Sequence, residues 1–312
     1  MRKALVFAVL CALAVVHAPD ARAADVVVSL KPIHSLVAGV MGGAGKPRLL
    51  LRGAASPHTY QMRPSEARAL SEAELIVWIG EAMETFLERP IANLGSKAKI
   101  VTLHEAAGLR LLPNREGGIW DDDHLEAHVD EHEDHGHDHS EFNMHIWLDP
   151  SNARRIVDVI ADALTRLDPD RAGTYRGNAE VMRDRIAALE SSLRNRLAPV
   201  RPHAFIVFHD AYQYFESSFG LNGKGAVSLD PARPPGAKRL AELRAALDEH
   251  DVRCMFTEPQ FESGLVRTVA EGAGIRTAAL DPLGVDVEPG PDAWFKIMRG
   301  LGDAVSECLG GS

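Results

Sequence analysis

Histidine and carboxylate side chains carry the chemistry most legible in this chain. It has 14 histidines in 312 residues, and neutral imidazole is the commonest protein ligand for a transition-metal ion. Six of them, His124, His128, His132, His135, His137 and His139, lie among ten carboxylates between Asp121 and Glu141, a stretch with no Lys or Arg. Imidazole and carboxylate both suit Zn²⁺, so this composition reads as a metal-gathering tract. An inert solvated loop is the bland alternative, and six histidines so close together argue against it. With almost nothing apolar to bury and a charge that repels itself, the tract is expected to be mobile without metal.

A second set sits at the ends of regular elements. His58 follows Ser56-Pro57 just beyond an expected strand at 48–51. His145 lies in Asn143-Met144-His145-Ile146-Trp147-Leu148-Asp149-Pro150, before a helix. His209 ends the apolar run from Ala204 to Phe208, and Asp281 follows the run from Thr277 to Leu280. Ligands of open α/β sheets bind outside the carboxyl ends of the strands. Three imidazoles and one carboxylate at such positions would complete a tetrahedral zinc site. Taken singly, each histidine is better read as a hydrogen-bonded structural residue than as a ligand, as the isolated His34, His104, His203 and His250 are. A zinc hydrolase is the competing class, but no H-E-x-x-H helix supplies a base beside paired ligands. Glu258, near a strand end, is the one candidate base, and orienting another residue or capping an element is the plainer role for it.

The elements that must position these groups follow an α/β rhythm. Short apolar runs at 26–30, 48–51, 75–79 and 100–103 alternate with helical patterns near 33–41, 64–72 and 84–94. The rhythm restarts at 204–209, continues through 225–229, 252–257 and 277–280, and closes with a helix near 293–309. Such alternation predicts βαβ units and mainly parallel sheets, hence two Rossmann-like lobes. Between them, Met182, Ile186, Leu189, Leu193 and Leu197 make one apolar stripe on a helix bounded by Pro169 and Pro199. At about 40 Å, this helix is long enough to lie along both lobes as a stiff connector. The expected limits are an N-terminal lobe at 24–168 containing the His-rich loop at 120–142, a linking helix at 169–200, and a C-terminal lobe at 201–312.

Composition bounds what else the chain does. It is 46% hydrophobic and 25% charged, with a net charge of −10, an ordinary globular balance with no basic stripe for nucleic acid. Arg2-Lys3, the apolar run Ala4–Val16 and Ala21-Arg22-Ala23 form a secretory signal peptide over 1–23, cleaved after Ala23. The apolar run is too short for the roughly 20 residues of a membrane span. Cleavage leaves two cysteines, Cys254 and Cys308, whose even count in an oxidising compartment reads as a disulfide, with two separate buried thiols as the alternative.

Four phrases carry a family likeness. Ser56-Pro57-His58-Thr59-Tyr60-Gln61-Met62-Arg63-Pro64-Ser65, Asn143 to Pro150, Phe208-His209-Asp210-Ala211-Tyr212-Gln213-Tyr214-Phe215 and Thr257-Glu258-Pro259-Gln260-Phe261 resemble the zinc-uptake substrate-binding proteins of ABC importers. The resemblance implies a periplasmic, monomeric, non-enzymatic protein that holds Zn²⁺ between two lobes. It implies His58, His145 and His209 as ligands and Asp281 as the C-terminal carboxylate. It further implies delivery to an inner-membrane ABC permease, with a periplasmic metallochaperone as a further partner, and a His-rich loop that gathers or senses zinc. A disulfide near the C-terminus belongs to the same pattern. Manganese-binding relatives carry a carboxylate where His209 stands, so His209 moves the site toward zinc. Some zinc members have an acidic residue before the first histidine; Pro57 stands there here, leaving Asp281 or a water to complete the shell.

Overall fold

Three consecutive valines open the first sheet. Strand β1 (Val26–Val28) pairs in parallel with β2 (Arg48–Leu49) on one side and β3 (Leu75–Trp78) on the other, and both its faces are buried, Val26 and Val28 in one apolar cluster and Val27 in another. A central strand covered on both faces has no polar face to show, so its sequence does not alternate. Strand β4 (Lys99–Thr102) adds at the β3 edge, giving the order β2-β1-β3-β4. Helices α1 (Lys31–Met41), α2 (Pro64–Glu72) and α3 (Thr85–Leu94) make the crossovers. A second parallel sheet repeats the plan with β5 (Ala204–His209), β6 (Asn222–Ser228), β7 (Cys254–Thr257) and β8 (Arg276–Ala279) in the order β6-β5-β7-β8. These features belong to a computed structural model that describes residues 24–95, 97–115, 119–120, 141–228 and 235–311. The signal peptide and the six histidines from His124 to His139 lie outside the described residues. Among the described residues, no helix is long and apolar enough to cross a membrane.

One long helix, α5 (Ala172–Leu197), joins the lobes, and α4 (Pro150–Leu167) packs against it on the side of the first. Helix α4 opens with Asp149, whose Oδ1 accepts from the Ser151 N–H at 2.7 Å and caps the helix. Helix α5 buries Tyr175, Ala179, Met182, Ile186, Leu189, Leu193 and Leu197, the stripe expected from the sequence. That stripe packs against α1 and α4 of the first lobe and against the last helix, α9 (Ala293–Gly310). Two glycines set how closely the helices approach. A Cβ on Gly39 of α1 would lie 2.5 Å from Met182 Sδ, and one on Gly302 of α9 would lie 2.4 Å from Leu193 Cδ2. Helices α6 (Gln213–Phe219), α7 (Ala237–Glu249) and α8 (Gly264–Ala273) complete the second lobe.

Helix α9 returns to the first lobe although it follows the second in sequence. The Trp294 N–H donates to Ser35 Oγ of α1, and Trp294 Nε1 donates to Trp147 O, both at 2.9 Å. The helix has ten buried residues, including Trp294, Phe295 and Met298, and packs against α1, α5 and β8. A disulfide from Cys308 on α9 to Cys254 on β7, with Cα atoms 6.1 Å apart, ties the same helix to the second sheet. One hydrophobic cluster accordingly runs from Val26 through α5 to Leu309.

Candidate metal centre

Each of the three motif histidines is placed by a different local device. His58 lies in the turn after β2, its N–H donating to Ser56 Oγ at 3.3 Å. His145 precedes the single 3-10 turn Ile146–Leu148 that leads into α4, so the packed Trp147 and the α4 cap fix it. His209 is the last residue of β5, at the crevice between β5 and β7 where the strand order of the second sheet reverses. In open parallel sheets that crevice is the favoured ligand position. His145 and His209 are buried and His58 is half-buried.

The three rings converge. His58 lies 5.7 Å, centroid to centroid, from each of the other two, which are 5.1 Å apart. One nitrogen from each of the three falls within 4.8 Å of the others, a cluster that could hold a metal ion. The back of two rings is locked. Asn143 Oδ1 accepts from both the backbone N–H (3.0 Å) and Nδ1 (2.9 Å) of His145. Glu258 Oε1 accepts from both the backbone N–H (3.3 Å) and Nδ1 (2.7 Å) of His209. With Nδ1 protonated in each, both Nε2 atoms present lone pairs, and they face each other at 3.2 Å. Two lone pairs so close repel unless a cation lies between them. Nitrogens bound to one tetrahedral Zn²⁺ at about 2.0–2.1 Å stand about 3.3 Å apart, so the observed spacing is already that of a zinc-bound pair. Burial, reinforced by the neighbouring His209 and His58, pushes the His145 pKa well below the usual histidine value. The ring is therefore held in its metal-binding, neutral form.

Asp281 is not brought into this cluster. Its Oδ1 accepts from Gln260 Nε2 (2.8 Å) and from the N–H groups of Leu283 (3.2 Å) and Gly284 (2.8 Å), and its Oδ2 accepts from Val285 N. The carboxylate thus nucleates the turn 281–285, in which Gly284 adopts φ +67°. That turn lies across the pocket, which Ser56, Pro57, Trp147, Phe261, Pro282 and Leu283 line together with the histidines. Two first-lobe residues hold it: Lys31 Nζ donates to Gly284 O and to Val285 O (3.1 Å), and Trp147 Nε1 donates to Pro282 O (3.0 Å).

Sequence reasoning missed Asn143 and Arg115. Asn143 also donates through Nδ2 to Asp210 O at 2.7 Å, so it links the two buried histidine segments. Its position two residues before His145, within reach of that residue's own N–H, was the available signal. Arg115 pairs with Asp210 and, at 2.7 Å, with Glu216, and its guanidinium stacks 3.4 Å over Trp120. Those carboxylates raise the Arg115 pKa, while burial pushes that of Glu216 up. No local pattern announces a contact between residues about a hundred apart. Glu258 has its carboxylate on the Nδ1 side of His209, away from the converging Nε2 atoms, which suits it to orienting the ring and not to acting as a base. Two of the isolated histidines are structural, His34 bonding Pro47 O at 3.0 Å and His104 bonding Ile79 O at 2.8 Å.

Comparison with known proteins agrees with this geometry. The family model described as zinc-uptake complex component A, periplasmic (ZnuA), matches residues 26–308. The chain is 41% identical over 304 residues to the high-affinity zinc uptake system protein ZnuA of Brucella abortus, with 91% of each chain covered. It is 34% identical over 290 residues to the protein of the same name from Yersinia pestis, covering 92% of this chain and 91% of that one. A crystal structure of a ZnuA superposes with a TM-score of 0.76 at 25% identity, over 92% of this chain and 99% of that one. With its two parallel sheets, connecting helix and a family match over residues 26–308, the chain belongs to the ZnuA family of periplasmic zinc-uptake components.

Proposed function

We propose that this chain captures Zn²⁺ outside the inner membrane with His58, His145 and His209 and delivers it to the permease of an ABC importer. The main support is the pair of Nδ1-locked imidazoles whose Nε2 lone pairs face each other at 3.2 Å, with a third imidazole beside them. An all-nitrogen donor set suits a borderline ion and disfavours harder ones such as Mn²⁺. Water takes the fourth position, because the Asp281 carboxylate is engaged by one side-chain and three backbone donors. The mature protein begins at Ala24, acts as a monomer and performs no chemistry on its cargo. His124, His128, His132, His135, His137 and His139 hold further ions more weakly and feed the histidine cluster.

The test is the metal content of the mature protein, read by mass spectrometry after dialysis against a weak chelator. One equivalent of zinc is expected for the wild type and for a deletion of 121–139. Less than a tenth of an equivalent is expected for His58→Ala, His145→Ala and His209→Ala. Asp281→Asn is expected to retain zinc, since an amide oxygen still accepts from the turn. Retention by all three histidine variants, or loss in the loop deletion, would overturn the assignment.

A further inference from the structure

Asn143 and Glu258 do the same geometric task for their histidines, but one is neutral and the other a carboxylate. The carboxylate is costly where it lies. Glu258 is 2% exposed, and among the described residues its Oε2 accepts no hydrogen bond. The neighbouring Tyr212 hydroxyl donates to Leu280 O at 3.3 Å, and burial together with the adjacent Glu258 carboxylate pushes its pKa well up. Among the described residues, Glu258 has no Lys or Arg partner, only His209. The other buried acids are better served. Glu84 accepts from Ser29 Oγ and from the N–H groups of Ile79 and Gly80. Glu216 pairs with Arg115, and Asp149 with Arg110 and the Ser151 N–H. A half-satisfied buried carboxylate is rare and calls for a reason.

We propose that Glu258 is a positioning residue for the cargo ion, holding His209 with Nε2 free to bind and supplying the negative charge that balances a dication among three neutral imidazoles. This deepens the zinc-site reading and rests on it. Among the described residues that line the pocket, Glu258 is the one carboxylate, beside the apolar Trp147, Phe261, Pro282 and Leu283; the charge of Asp281 is turned into the 281–285 backbone turn. A carboxylate behind a ligand imidazole raises the basicity of its metal-facing nitrogen, and loss of such a partner typically weakens metal binding 10–100-fold. A carboxamide at 258 retains an acceptor for the His209 N–H groups and changes only the charge. The carboxylate and its carboxamide replacement therefore separate charge from shape.

The experiment measures zinc dissociation constants at pH 7.5, by competition with a chromophoric chelator, for the wild type and for Glu258→Gln, Glu258→Ala and Glu258→Asp. Melting temperatures of the zinc-free proteins and d–d spectra of the Co²⁺-loaded proteins are recorded alongside. Glu258→Gln is expected to bind zinc about 10–100-fold more weakly, with a shifted Co²⁺ spectrum and a zinc-free melting temperature near that of the wild type. Glu258→Asp, which keeps the charge on a shorter arm, is expected to bind more tightly than Glu258→Ala. Wild-type affinity in Glu258→Gln would overturn the proposal, leaving Glu258 a structural acceptor. Should that variant not fold, equal affinities of Glu258→Asp and Glu258→Ala would overturn it equally. Failure of the zinc-site reading looks different: the wild type itself, or His209→Ala alongside it, would show no specific change in zinc binding.

Discussion

Acidifying the zinc-free protein should cost it stability through one identifiable ring. His145 is buried, and its folded-state pKa lies well below the ordinary value of about 6.5 that it recovers on unfolding. Its neutral form therefore contributes fully above pH 6.5, and that contribution is lost as pH falls from 6.5 toward the folded value. In that window the unfolded chain binds a proton that the folded chain does not, so stability falls by about 1.4 kcal/mol per pH unit. Denaturant titrations with chelator present, at pH 7.5, 6.5, 5.5 and 5.0, measure this slope in the wild type and in His145→Leu, which cannot titrate. The difference between the two should steepen below pH 6.5. Identical pH slopes in the two proteins would refute the reasoning.

Glu84 should give the opposite pH dependence. Burial pushes its pKa up to about 7 despite three hydrogen-bond donors, so its contribution is complete below the unfolded value near 4.5 and is lost as pH rises through 7. Glu84→Gln should remove that loss, leaving the variant about 3 kcal/mol more stable than the wild type at pH 8.5; a variant less stable at both pH 5 and pH 8.5 would contradict this. Replacing Cys254 and Cys308 by Ser opens a loop spanning 54 residues in sequence and should cost up to about 4 kcal/mol, read as a fall in the guanidinium midpoint. Reductant should lower the wild-type midpoint toward the same value. Lys31→Met removes a charged donor from two carbonyls of the turn over the pocket and should cost about 1.5–3 kcal/mol. It should also speed zinc release in stopped-flow chelator trapping, and an unchanged rate would mean the turn does not hinder exit.

The α/β class, the two lobes and the connecting stripe were legible because each rests on a run of neighbouring residues. The apolar run at 204–209 and the stripe from Met182 to Leu197 are such cases, and both occur as expected. The three motif histidines were singled out by the phrases around them, with their places near strand ends and a helix start as lesser support, and the fold brings their rings together. Asp281, left in the sequence as an alternative to water, accepts from Gln260 Nε2 and from three backbone N–H groups just ahead of it, contacts that its place after a strand does not announce. The phrase Asp281-Pro282-Leu283-Gly284 held the hint, since an Asp before Pro with a following Gly is turn chemistry. Helix α9 lay beyond any local signal. Its attachment to α1 depends on Trp294 reaching Ser35, 259 residues away.

The repeated strand order of the two sheets makes the position of the metal centre intelligible. Each sheet reverses its order between its first and third strands, β1 and β3 in one lobe, β5 and β7 in the other, and so each offers the same crevice. In the first lobe Glu84 fills it, with donors from Ser29 after β1 and from Ile79 and Gly80 after β3. Both Glu84 oxygens are thereby engaged, and among the described residues no candidate metal cluster lies there. In the second lobe the matching carboxylate, Glu258 after β7, receives only His209 at the end of β5. That arrangement closes the back of the crevice while directing one imidazole nitrogen outward, toward His58 and His145 of the other lobe. A single repeated topology yields one sealed crevice and one half of a metal site, and the difference comes from which side chain donates to the buried carboxylate.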